Sequence, residues 1–471
     1  MIALSIAAIA HAVSGRVVGE FDPALVVAGT VQTDSRLVQP GDTFFALPGE
    51  VTDGHLYAAE AVRAGAALVV VERVLDLAVP QILVSSGVAA LAALATHVVK
   101  AVRAEGLLTV IAVTGSNGKT TTKNMLRAIC ADHGETVAPE GSFNNDVGAP
   151  ISMLRITAQT RFLIVEAGAS GPGEIARIAA MAPPDVAIEL KVGLAHAGGF
   201  GDIESTAAAK AELVTGLGPQ DIAVLNADDP RVAQMAALTS ARVVWFTTEE
   251  GEATAEVIRG TDIAVTMAGT QFRLQIADEP NRSVRLRILG EHHVHNALAA
   301  LSTAHTLGLD IDRAISALSA MDRAERWRME VLLPEPDITV INDAYNASPD
   351  SMAAALKTLA QLTAGRGRSV AVLGEMAELG EIAREEHDRI GRLSVRLNIG
   401  KLIVVGWGAR HIHAAAGLEG SWDGESVYVA DAEEAYDVLH GTLRPGDVVL
   451  VKSSKSAGLR FLGDRIGGVS A

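Results

Sequence analysis

Residues 107–124 read LLTVIAVTGSNGKTTTKN, and this stretch decides the fold. Its first seven residues form a continuous apolar run, which predicts a strand buried on both faces of a parallel sheet. The run leads into TGSNGKTTT, where Gly115 and Gly118 let the backbone approach an anion closely and Lys119 begins a predicted helix. Backbone N–H groups and the Lys119 ammonium can hold phosphates there, and the Thr120 hydroxyl can bind Mg²⁺. The stretch therefore predicts a nucleotide-binding α/β domain.

This loop differs from the common G-x-x-x-x-G-K-[ST] form, since Val113 occupies the position of the first glycine. The predicted ATP site also includes Ser116, Asn117 and Thr121 of the same loop. A glycine-rich turn without a nucleotide is the alternative. It does not explain why a strand, a glycine loop, a Lys-Thr pair and a helix follow one another in this order.

From the phosphate loop outward, the chain divides into three predicted domains. Residues 1–84 mix short strands and helices and form a small mixed α/β domain. Residues 85–322 alternate buried strands with helical segments, which is typical of a parallel sheet covered on both faces, and a more antiparallel stretch covers about residues 255–289. The alternation restarts in residues 323–471 and predicts a doubly wound, Rossmann-like domain. The predicted fold class is therefore α/β with three domains.

Composition restricts the partners and the compartment. The 471 residues carry a net charge of −17 without a long basic run, which argues against nucleic acid or an anionic membrane surface as a partner. The single cysteine, Cys130, cannot form an internal disulfide, which favours the cytoplasm. No uninterrupted apolar run reaches the length of a membrane span, and the apolar N-terminus lacks the preceding Lys or Arg of a signal peptide. We expect a cytoplasmic enzyme that acts on small molecules.

Glu166 is the first candidate metal ligand outside the loop. It ends the apolar segment FLIVE, which we expect to lie beside the loop strand in a parallel sheet. A carboxylate at that edge would face a Mg²⁺ bound to the triphosphate, because this ion prefers carboxylate oxygen. The alternative is a surface glutamate at the end of a strand.

The phosphate loop is the first of seven features that follow one order along the chain, namely TGSNGKTTTK, SFNNDVG, VEAGAS, AHAGGFG, AAAKAEL, HNALAA and INDAYNASPDSM. Together they resemble the Mur ligase family over essentially the whole chain. The resemblance implies that residues 1–84 bind a UDP-linked precursor, that residues 85–322 bind ATP, and that residues 323–471 close on ATP and bind the incoming dipeptide. NDAYNASPDSM and the lack of a D-N-P-R motif imply addition of D-alanyl-D-alanine to UDP-N-acetylmuramoyl-tripeptide through an acyl phosphate.

The resemblance also implies a second Mg²⁺. His196 matches a ligand of that ion, although a lone histidine is commonly structural. Lys210 matches a lysine that the family carries as an N-carboxylated side chain, which would turn a cation into an anionic oxygen ligand. The alternative is a helix lysine paired with Glu212 or Glu204. The predicted catalytic set is Lys119, Glu166, His196 and Lys210.

Further binding residues follow from the resemblance alone. Asn296 matches the reader of the adenine edge, with a helix N-cap as the alternative, because Asn favours that position. The residues implied to close over the nucleotide are Arg328, Asp343, Tyr345 and Asn346. The residues implied to bind substrates are Thr33, Asp34, Ser35, Arg36 and Phe45 for UDP, Asn144 and Asn145 for the sugar-peptide, and Lys452 for the dipeptide or the peptide tail. The family precedent implies a monomer.

Several positions depart from the family pattern, namely Lys191, His293, Trp327, Ser453 and Arg460. Other functions therefore stay open at this stage. They are another Mur-type amino-acid ligase, a non-catalytic ATP-binding regulatory relative, and a small-molecule kinase. Both meso-diaminopimelate and lysine are compatible with the third position of the tripeptide.

Overall fold

The computed structural model describes residues 1–19, 21–22, 24–49, 52–194, 200–335, 337–365, 367–420 and 425–469. These residues form three sheets of five, nine and six strands, with helices packed against them, and a small additional two-stranded sheet. The predicted α/β class is therefore confirmed. The domain limits at residues 84 and 322 remain predictions.

The N-terminal sheet has the strand order β2-β7-β6-β5-β4. Strands β4 to β7 are parallel and β2 is antiparallel to β7. The strands are β1 (Leu4–Ser5), β2 (Arg16–Val18), β3 (Val26–Val27), β4 (Val31–Gln32), β5 (Thr43–Phe45), β6 (Leu68–Val71) and β7 (Gln81–Leu83), with β1 and β3 paired separately. The α-helices are Ile6–Ala12, Ala58–Ala64 and Gly87–Ala104, and 3-10 turns cover Ser35–Leu37 and Gly54–Tyr57.

The helix Gly87–Ala104 has the length and apolar composition of a membrane span, with a mean hydropathy of 1.4. A core helix can have the same composition. Its buried residues recur at helical spacing, as Leu91, Leu94, Val98 and Val102 do, and they pack in one cluster with strand β8. Strand β8 covers Thr109–Thr114 in the central sheet, so the helix forms part of the core between the N-terminal and central sheets.

The central sheet has the order β16-β15-β14-β13-β12-β11-β8-β10-β9. It is parallel from β9 to β14, and β15 and β16 are antiparallel, as expected for about residues 255–289. The strands are β8 (Thr109–Thr114), β9 (Thr136–Val137), β10 (Phe162–Glu166), β11 (Val186–Glu189), β12 (Ile222–Asn226), β13 (Arg242–Thr247), β14 (Val257–Thr266), β15 (Gly269–Gln275) and β16 (Arg282–Leu286). The described helices are Lys119–Ala131, Gly148–Met153, Glu174–Met181, Ile203–Thr215, Pro230–Gln234, His292–Thr306 and Ile311–Ala320, with a 3-10 turn at Met235–Leu238.

Strand β8 is buried on both faces, and this places the phosphate loop. Ile111 and Val113 pack in the cluster of helix Lys119–Ala131, whereas Val110 and Ala112 pack in the cluster of helix Ile203–Thr215. A fully buried aliphatic side chain contributes about 1.5–3 kcal/mol. The two cores therefore hold the end of β8, and the loop after it, at the carboxyl edge of the sheet, where open α/β sheets bind their ligands.

The C-terminal sheet has the order β17-β18-β22-β19-β20-β21, with β17 antiparallel and the other strands parallel. The strands are β17 (Glu330–Glu335), β18 (Ile338–Asn342), β19 (Arg368–Leu373), β20 (Lys401–Val405), β21 (Ser426–Val429) and β22 (Asp447–Lys452). The described helices are Pro349–Thr363, Ala383–Arg396, Arg410–Glu419, Ala432–Thr442 and Leu459–Ile466, with 3-10 turns at Gly380–Ile382, Trp407–Ala409 and Lys455–Ala457. The carboxyl edge of this sheet carries the predicted nucleotide-closing residues.

Candidate active site

The phosphate loop connects β8 to helix Lys119–Ala131 through two glycines with positive φ, 147° at Gly115 and 88° at Gly118. A methyl group at Gly118 would collide with Asn296 Oδ1 and would lie 3.2 Å from Leu190 Cδ1. Gly118 is the N-cap of the helix and supplies no side-chain acceptor. The first N–H groups of the helix are therefore available to an anion, as a phosphate site requires.

The side chains of the loop meet the end of β10. Thr120 Oγ1 lies 3.2 Å from Glu166 Oε1, and Asn144 Nδ2 donates to the same oxygen at 2.8 Å. Strand β10 pairs with β8 in parallel, with Glu166 opposite Val113, as expected. Glu166 is buried, and its Oε2 has no hydrogen-bond partner among the described residues. The alternative of a surface glutamate is therefore wrong.

Lys119 lies above the ends of these strands. Its Nζ donates to Gly115 O at 2.7 Å. Burial lowers the pKa of Lys119, and Glu166 opposes this shift. The ammonium is thus placed between the loop and a carboxylate, in a partly desolvated position where its charge acts strongly on a phosphate.

Lys210 is buried on helix Ile203–Thr215. Burial lowers its pKa to about 7, Lys119 adds to the shift, and Glu189 opposes it. Neither predicted alternative partner contacts it. Glu212 accepts N–H groups of Gly173 and Ala176, and Glu204 pairs with Arg231.

The remaining predicted metal ligand, His196, lies outside the described residues. Within residues 1–194 and 200–469, apart from the short gaps given above, no cluster of three or more His, Cys, Asp or Glu residues forms a ready cation site. The side chains that fit a cation are therefore a carboxylate with an unpaired oxygen, Glu166, and a hydroxyl at a helix N-terminus, Thr120. Both are hard oxygen donors of the kind that Mg²⁺ takes.

Asn296 lies in the interior of helix His292–Thr306, so the alternative of a helix N-cap is wrong. It is buried, and its Nδ2 lies 3.2 Å from His293 Nδ1. Its amide oxygen faces Gly118 of the phosphate loop. Burial lowers the pKa of His293 well below its ordinary value and that of His292 to about 4, so both rings are neutral at pH 7.

Several side chains of the C-terminal part contact the central domain, and three of them do so around the phosphate loop. Arg328 Nη2 lies 3.2 Å from Thr120 Oγ1, and its guanidinium lies 4.4 Å from the ring centre of Tyr345. The Tyr345 hydroxyl donates to Ser142 Oγ at 3.0 Å. Ser348, which caps helix Pro349–Thr363, donates to Asn117 Oδ1 at 3.0 Å.

Asp343 and Lys452 form a buried ion pair with an Nζ–Oδ2 distance of 2.6 Å. Lys452 Nζ also donates to the carbonyl of Asn346 at 3.1 Å. The pair thus joins the ends of β18 and β22 and holds the loop that carries Tyr345.

One cleft of about 340 Å³ brings most of the predicted residues together. The predicted residues among its lining are Ser116, Asn117, Gly118, Lys119, Thr120, Thr121, Asn144, Glu166, Asn296, Arg328, Asp343, Tyr345, Asn346 and Lys452. Gly115 lies in the same loop, whereas Lys210 is not among the residues that line the cleft.

The residues predicted to bind UDP occupy a separate part of the N-terminal sheet. Asp34 caps the turn Ser35–Leu37 and pairs with Arg36 at 2.6 Å, and Ser35 donates to Glu60 at 3.3 Å. Thr33 precedes this turn. Phe45 is fully buried in the core, so any contact with a ligand would have to use its backbone. Their UDP-binding role remains a prediction.

Asn145 differs from its neighbour Asn144. Its Oδ1 accepts the N–H of Gly148 at 2.8 Å and of Val147 at 3.3 Å, and so closes the turn before helix Gly148–Met153. Asn145 lines a separate surface pocket of about 200 Å³ rather than the cleft. Its predicted contact with the sugar-peptide remains a prediction.

Of the positions that depart from the family pattern, Lys191 and His293 line this cleft, and Arg460 lines a C-terminal pocket. The Lys191 carbonyl accepts the Ser116 N–H at 2.7 Å. Trp327 adopts a φ of 58° and donates its indole N–H to Asp464. Arg460 lies against the Trp327 ring, and Ser453 is buried with its hydroxyl on a neighbouring carbonyl.

Sequence reasoning missed three residues of the site. Ser142 and Ser348 join the two domains, and their polar side chains within SFNNDVG and NASPD are common turn residues that gave no distinct signal. Glu189 is a fully buried carboxylate at the end of β11. Its signal was present, because a charged residue interrupts the apolar segment DVAIEL.

Comparison with known proteins agrees with this geometry. Residues 29–112 match the Mur ligase catalytic domain, residues 113–304 the Mur ligase middle domain, and residues 327–455 the Mur ligase glutamate ligase domain. Relatives named UDP-N-acetylmuramoyl-tripeptide–D-alanyl-D-alanine ligase are 44% identical in Mycobacterium tuberculosis, over 99% of this chain and 98% of theirs, and 33% identical in Escherichia coli, over 94% of both.

Solved structures show the same similarity. MurF from Acinetobacter baumannii superimposes with a TM-score of 0.86 at 29% identity, covering 98% of both chains. The MurF ligase of Thermotoga maritima in complex with ADP superimposes with a TM-score of 0.80 at 28% identity, covering 94% of this chain and 98% of that one. The order of domains, the phosphate loop and the full-length relatives agree, and this chain belongs to the Mur ligase family.

Proposed function

We propose that this protein is an ATP-dependent ligase that joins D-alanyl-D-alanine to UDP-N-acetylmuramoyl-tripeptide and so forms the pentapeptide precursor of peptidoglycan. The observation that carries the proposal is the cleft in which the phosphate loop meets the segment DAYNASPD of the C-terminal domain. The names of the full-length relatives support the same substrates.

ATP binds across this cleft in the proposal. The N-terminus of helix Lys119–Ala131 and the Lys119 ammonium hold its phosphates, and Asn296 hydrogen-bonds the adenine edge, because an amide offers both a donor and an acceptor. Arg328 already contacts the Thr120 hydroxyl, so its guanidinium reaches the phosphate end of the nucleotide. Tyr345 and Asp343 keep that arginine and its loop in position.

Thr120 and Glu166 would hold one Mg²⁺, and Lys210 with His196 a second. The unpaired Glu166 Oε2 supports the first assignment. The buried amine of Lys210, with a pKa of about 7, supports N-carboxylation, because only a neutral amine reacts with CO₂. Bound cations would neutralise charge on the transferring phosphoryl group.

The reaction has two steps. A terminal carboxylate oxygen of the tripeptide bonds to the γ-phosphorus of ATP, the bond to the bridging oxygen breaks, and ADP leaves. The dipeptide amine then bonds to the carbonyl carbon of the acyl phosphate, loses a proton, and expels phosphate. Lys119 and Arg328 stabilise the phosphoryl oxygens, and the closed domains exclude water from the acyl phosphate.

The other domains bind the two remaining substrates. Residues 1–84 hold the UDP group through the turn at Asp34, and Asn144, which donates to Glu166 in the cleft, contacts the sugar-peptide. The dipeptide enters beside a C-terminal pocket of about 480 Å³, whose lining includes Asn346, Ser454, Lys455 and Arg460. Its two cations are suited to the dipeptide carboxylate. The protein works as a cytoplasmic monomer in this proposal.

Phosphate release tests the proposal. Purified protein with ATP and Mg²⁺ is supplied with the UDP-linked tripeptide, with D-alanyl-D-alanine, with both, or with neither. We expect sustained release only with both substrates, matched by the pentapeptide product in mass spectrometry. Sustained release with one substrate or none would refute the assigned reaction.

A further inference from the structure

Lys123 is a buried cation of the central domain that the mechanism above does not use. It is 1% exposed and is not among the residues that line the cleft. Enclosing a charged group is unfavourable unless polar atoms surround it, because burial removes its hydration. The partners of the ammonium therefore indicate what a lysine does at this position.

Those partners are two carbonyl groups of one connection. Lys123 Nζ donates to Pro139 O at 2.8 Å and to Gly141 O at 2.9 Å. Both carbonyls lie in residues 138–147, which join strand β9 to the next helix and contain neither helix nor strand. Among the described residues, these carbonyls bond to the ammonium rather than to another backbone group. Lys123 thus tethers the middle of the connection, and residues 139–144 are called the tethered segment below.

The tether starts close to the phosphate-binding end of helix Lys119–Ala131. Residues three apart on a helix share a face, so Lys123 lies on the same face as Thr120. Ser142 of the tethered segment agrees with this placement, because its Oγ lies 3.5 Å from Thr120 Oγ1. One helix therefore presents the groups for phosphate and metal in its first turn and the tether in its second.

The tethered segment carries two side chains of the cleft. Asn144, the predicted contact of the sugar-peptide, donates to Glu166 Oε1 at 2.8 Å. Ser142 accepts the hydroxyl of Tyr345 at 3.0 Å, so it also contacts the C-terminal domain. Both side chains line the cleft. Because both are short, their positions follow the backbone of the segment.

Other contacts hold the tethered segment weakly. Glu140, Gly141 and Phe143 are exposed, and Glu140 pairs with Arg155 at the surface, where an ion pair stabilises little. The hydrogen bonds from Lys123 join a charged donor to carbonyls in buried or partly buried positions. Such bonds are stronger than bonds between neutral groups. The place of the segment therefore depends mainly on Lys123.

We infer that Lys123 is a positioning residue, which governs binding of the UDP-linked tripeptide by tethering this segment to the nucleotide-binding helix. The inference rests on the proposed function, because Asn144 is assigned to the sugar-peptide there. Lys123 acts through Asn144 and Ser142. Loss of the tether should therefore weaken binding of the tripeptide, whereas D-alanyl-D-alanine enters beside the C-terminal pocket and should be little affected.

The test compares Lys123→Met with Thr122→Val. Methionine has a similar length and no donor, so it removes the tether and still fills the space. Thr122 is a matched control on the same helix, because it is fully buried and its hydroxyl has no hydrogen-bond partner among the described residues. We expect Lys123→Met to raise the KM for UDP-N-acetylmuramoyl-tripeptide about tenfold, the effect of losing one hydrogen bond to a charged donor. Its KM for D-alanyl-D-alanine, and both KM values of Thr122→Val, should stay close to those of the wild type.

A second measurement requires no substrate. Phe143 is 47% exposed, so it becomes a chymotrypsin site when the tethered segment opens locally. Cleavage after Phe143, identified by mass spectrometry, should be faster in Lys123→Met than in the wild type and unchanged in Thr122→Val.

Two results would overturn the inference, namely a KM for the dipeptide that rises as much as the KM for the tripeptide, and wild-type cleavage after Phe143 in Lys123→Met. A purely structural role would lower the amount of folded enzyme, and hence the apparent kcat, without changing either KM. If Lys123→Met does not fold, Lys123→Gln replaces it, because its amide is uncharged, shorter and still polar; wild-type values in both measurements would then count against the tether. A wild type that forms no pentapeptide would contradict the ligase reaction, whereas cleavage after Phe143 would still test the tether.

Discussion

Replacing Gly118 with alanine tests the phosphate loop most directly. Its φ of 88° is left-handed, and an added Cβ would collide with the amide oxygen of Asn296. Gly106 is a matched control, because it has a φ of 85° and no heavy atom within 4 Å of an added Cβ. The two substitutions therefore share the backbone strain and differ in the collision.

The expected magnitudes follow from these contacts. Left-handed backbone costs an alanine about 1–2 kcal/mol, partly offset by the stiffer unfolded chain. The stiffer unfolded chain offsets ~0.4–1 kcal/mol of this cost. The net effect of Gly106→Ala should therefore be a free energy of unfolding that is lower by roughly 1 kcal/mol. Gly118→Ala also displaces Asn296 from His293, which adds about 1 kcal/mol for the lost hydrogen bond.

ATP affinity should separate the two variants further. If Asn296 makes two hydrogen bonds to adenine, its displacement costs about 1–2 kcal/mol, or roughly a five- to thirty-fold weaker ATP affinity. Isothermal titration with ATP and Mg²⁺ measures this, with Gly106→Ala expected to bind like the wild type. In an Asn296→Ala background the effect of Gly118→Ala should shrink, because the colliding group is gone. Equal ATP affinity of Gly118→Ala and Gly106→Ala would refute the assignment of the loop and of Asn296.

Three further predictions test the closed site. Lys452→Met removes the cation that faces the largely buried Asp343 carboxylate, which keeps only the Met329 N–H as a donor among the described residues. It should lower the free energy of unfolding by about 3 kcal/mol, the lower end for a broken buried pair, seen as a lower urea midpoint. Asp343→Asn in the same chain should restore part of the loss, and an unchanged midpoint would contradict the ion pair. Tyr345→Phe removes the bond to Ser142 and should raise the KM for ATP about fivefold, for roughly 1 kcal/mol, with the urea midpoint nearly unchanged; an unchanged KM would show that this contact does not aid closure. Below about pH 6.5 an unfolded histidine is protonated, whereas burial keeps His293 neutral in the folded protein. Because the unfolded chain then binds more protons, the free energy of unfolding should fall as the pH drops from 7.5 to 5.5. His293→Asn should reduce this dependence on pH.

The fold was largely predictable because its strands are buried on both faces. Continuous apolar runs such as Ile111–Val113 mark parallel strands, and Gly115, Gly118 and Lys119 mark the turn into the next helix. The parallel order of β8 and β10, which puts Glu166 beside Thr120, also follows from this pattern. These features depend on neighbouring residues or on the spacing of apolar residues along the chain. They can therefore be recognised in a single amino-acid sequence.

Contacts between domains were not predictable in the same way. Ser142 and Tyr345 are separated by 203 residues, and Asn117 and Ser348 by 231. No periodic pattern encodes such a pair, because it depends on how two complete sheets meet. The phosphate loop predicted Asn117 and the resemblance predicted Tyr345, but their partners on the other domain appear only in the structure.

Side-chain burial separated residues that the sequence could not rank. Phe45 and Asn145 carry the same kind of motif support as Asn144. In the fold Phe45 is core and Asn145 closes a turn, whereas Asn144 reaches Glu166 in the cleft. Side chains alternate between the two faces of a strand, and the geometry of a turn sets the direction of each side chain in it. Two neighbouring residues of one motif therefore point in different directions, and the motif does not show which of them enters the cleft.

The electrostatics of the site depend on both faces of the central sheet. Glu166 points to the face of helix Lys119–Ala131, together with Ile164, and Glu189 points to the opposite face, together with Ala187. Lys119 interacts with both carboxylates from its position above the strand ends. A change of charge at Glu189 therefore acts on Lys210 directly and on the phosphate-binding lysine as well. For this reason Glu189→Gln should alter the affinity for ATP even though Glu189 does not line the cleft, whereas a purely structural role for Glu189 would change only stability.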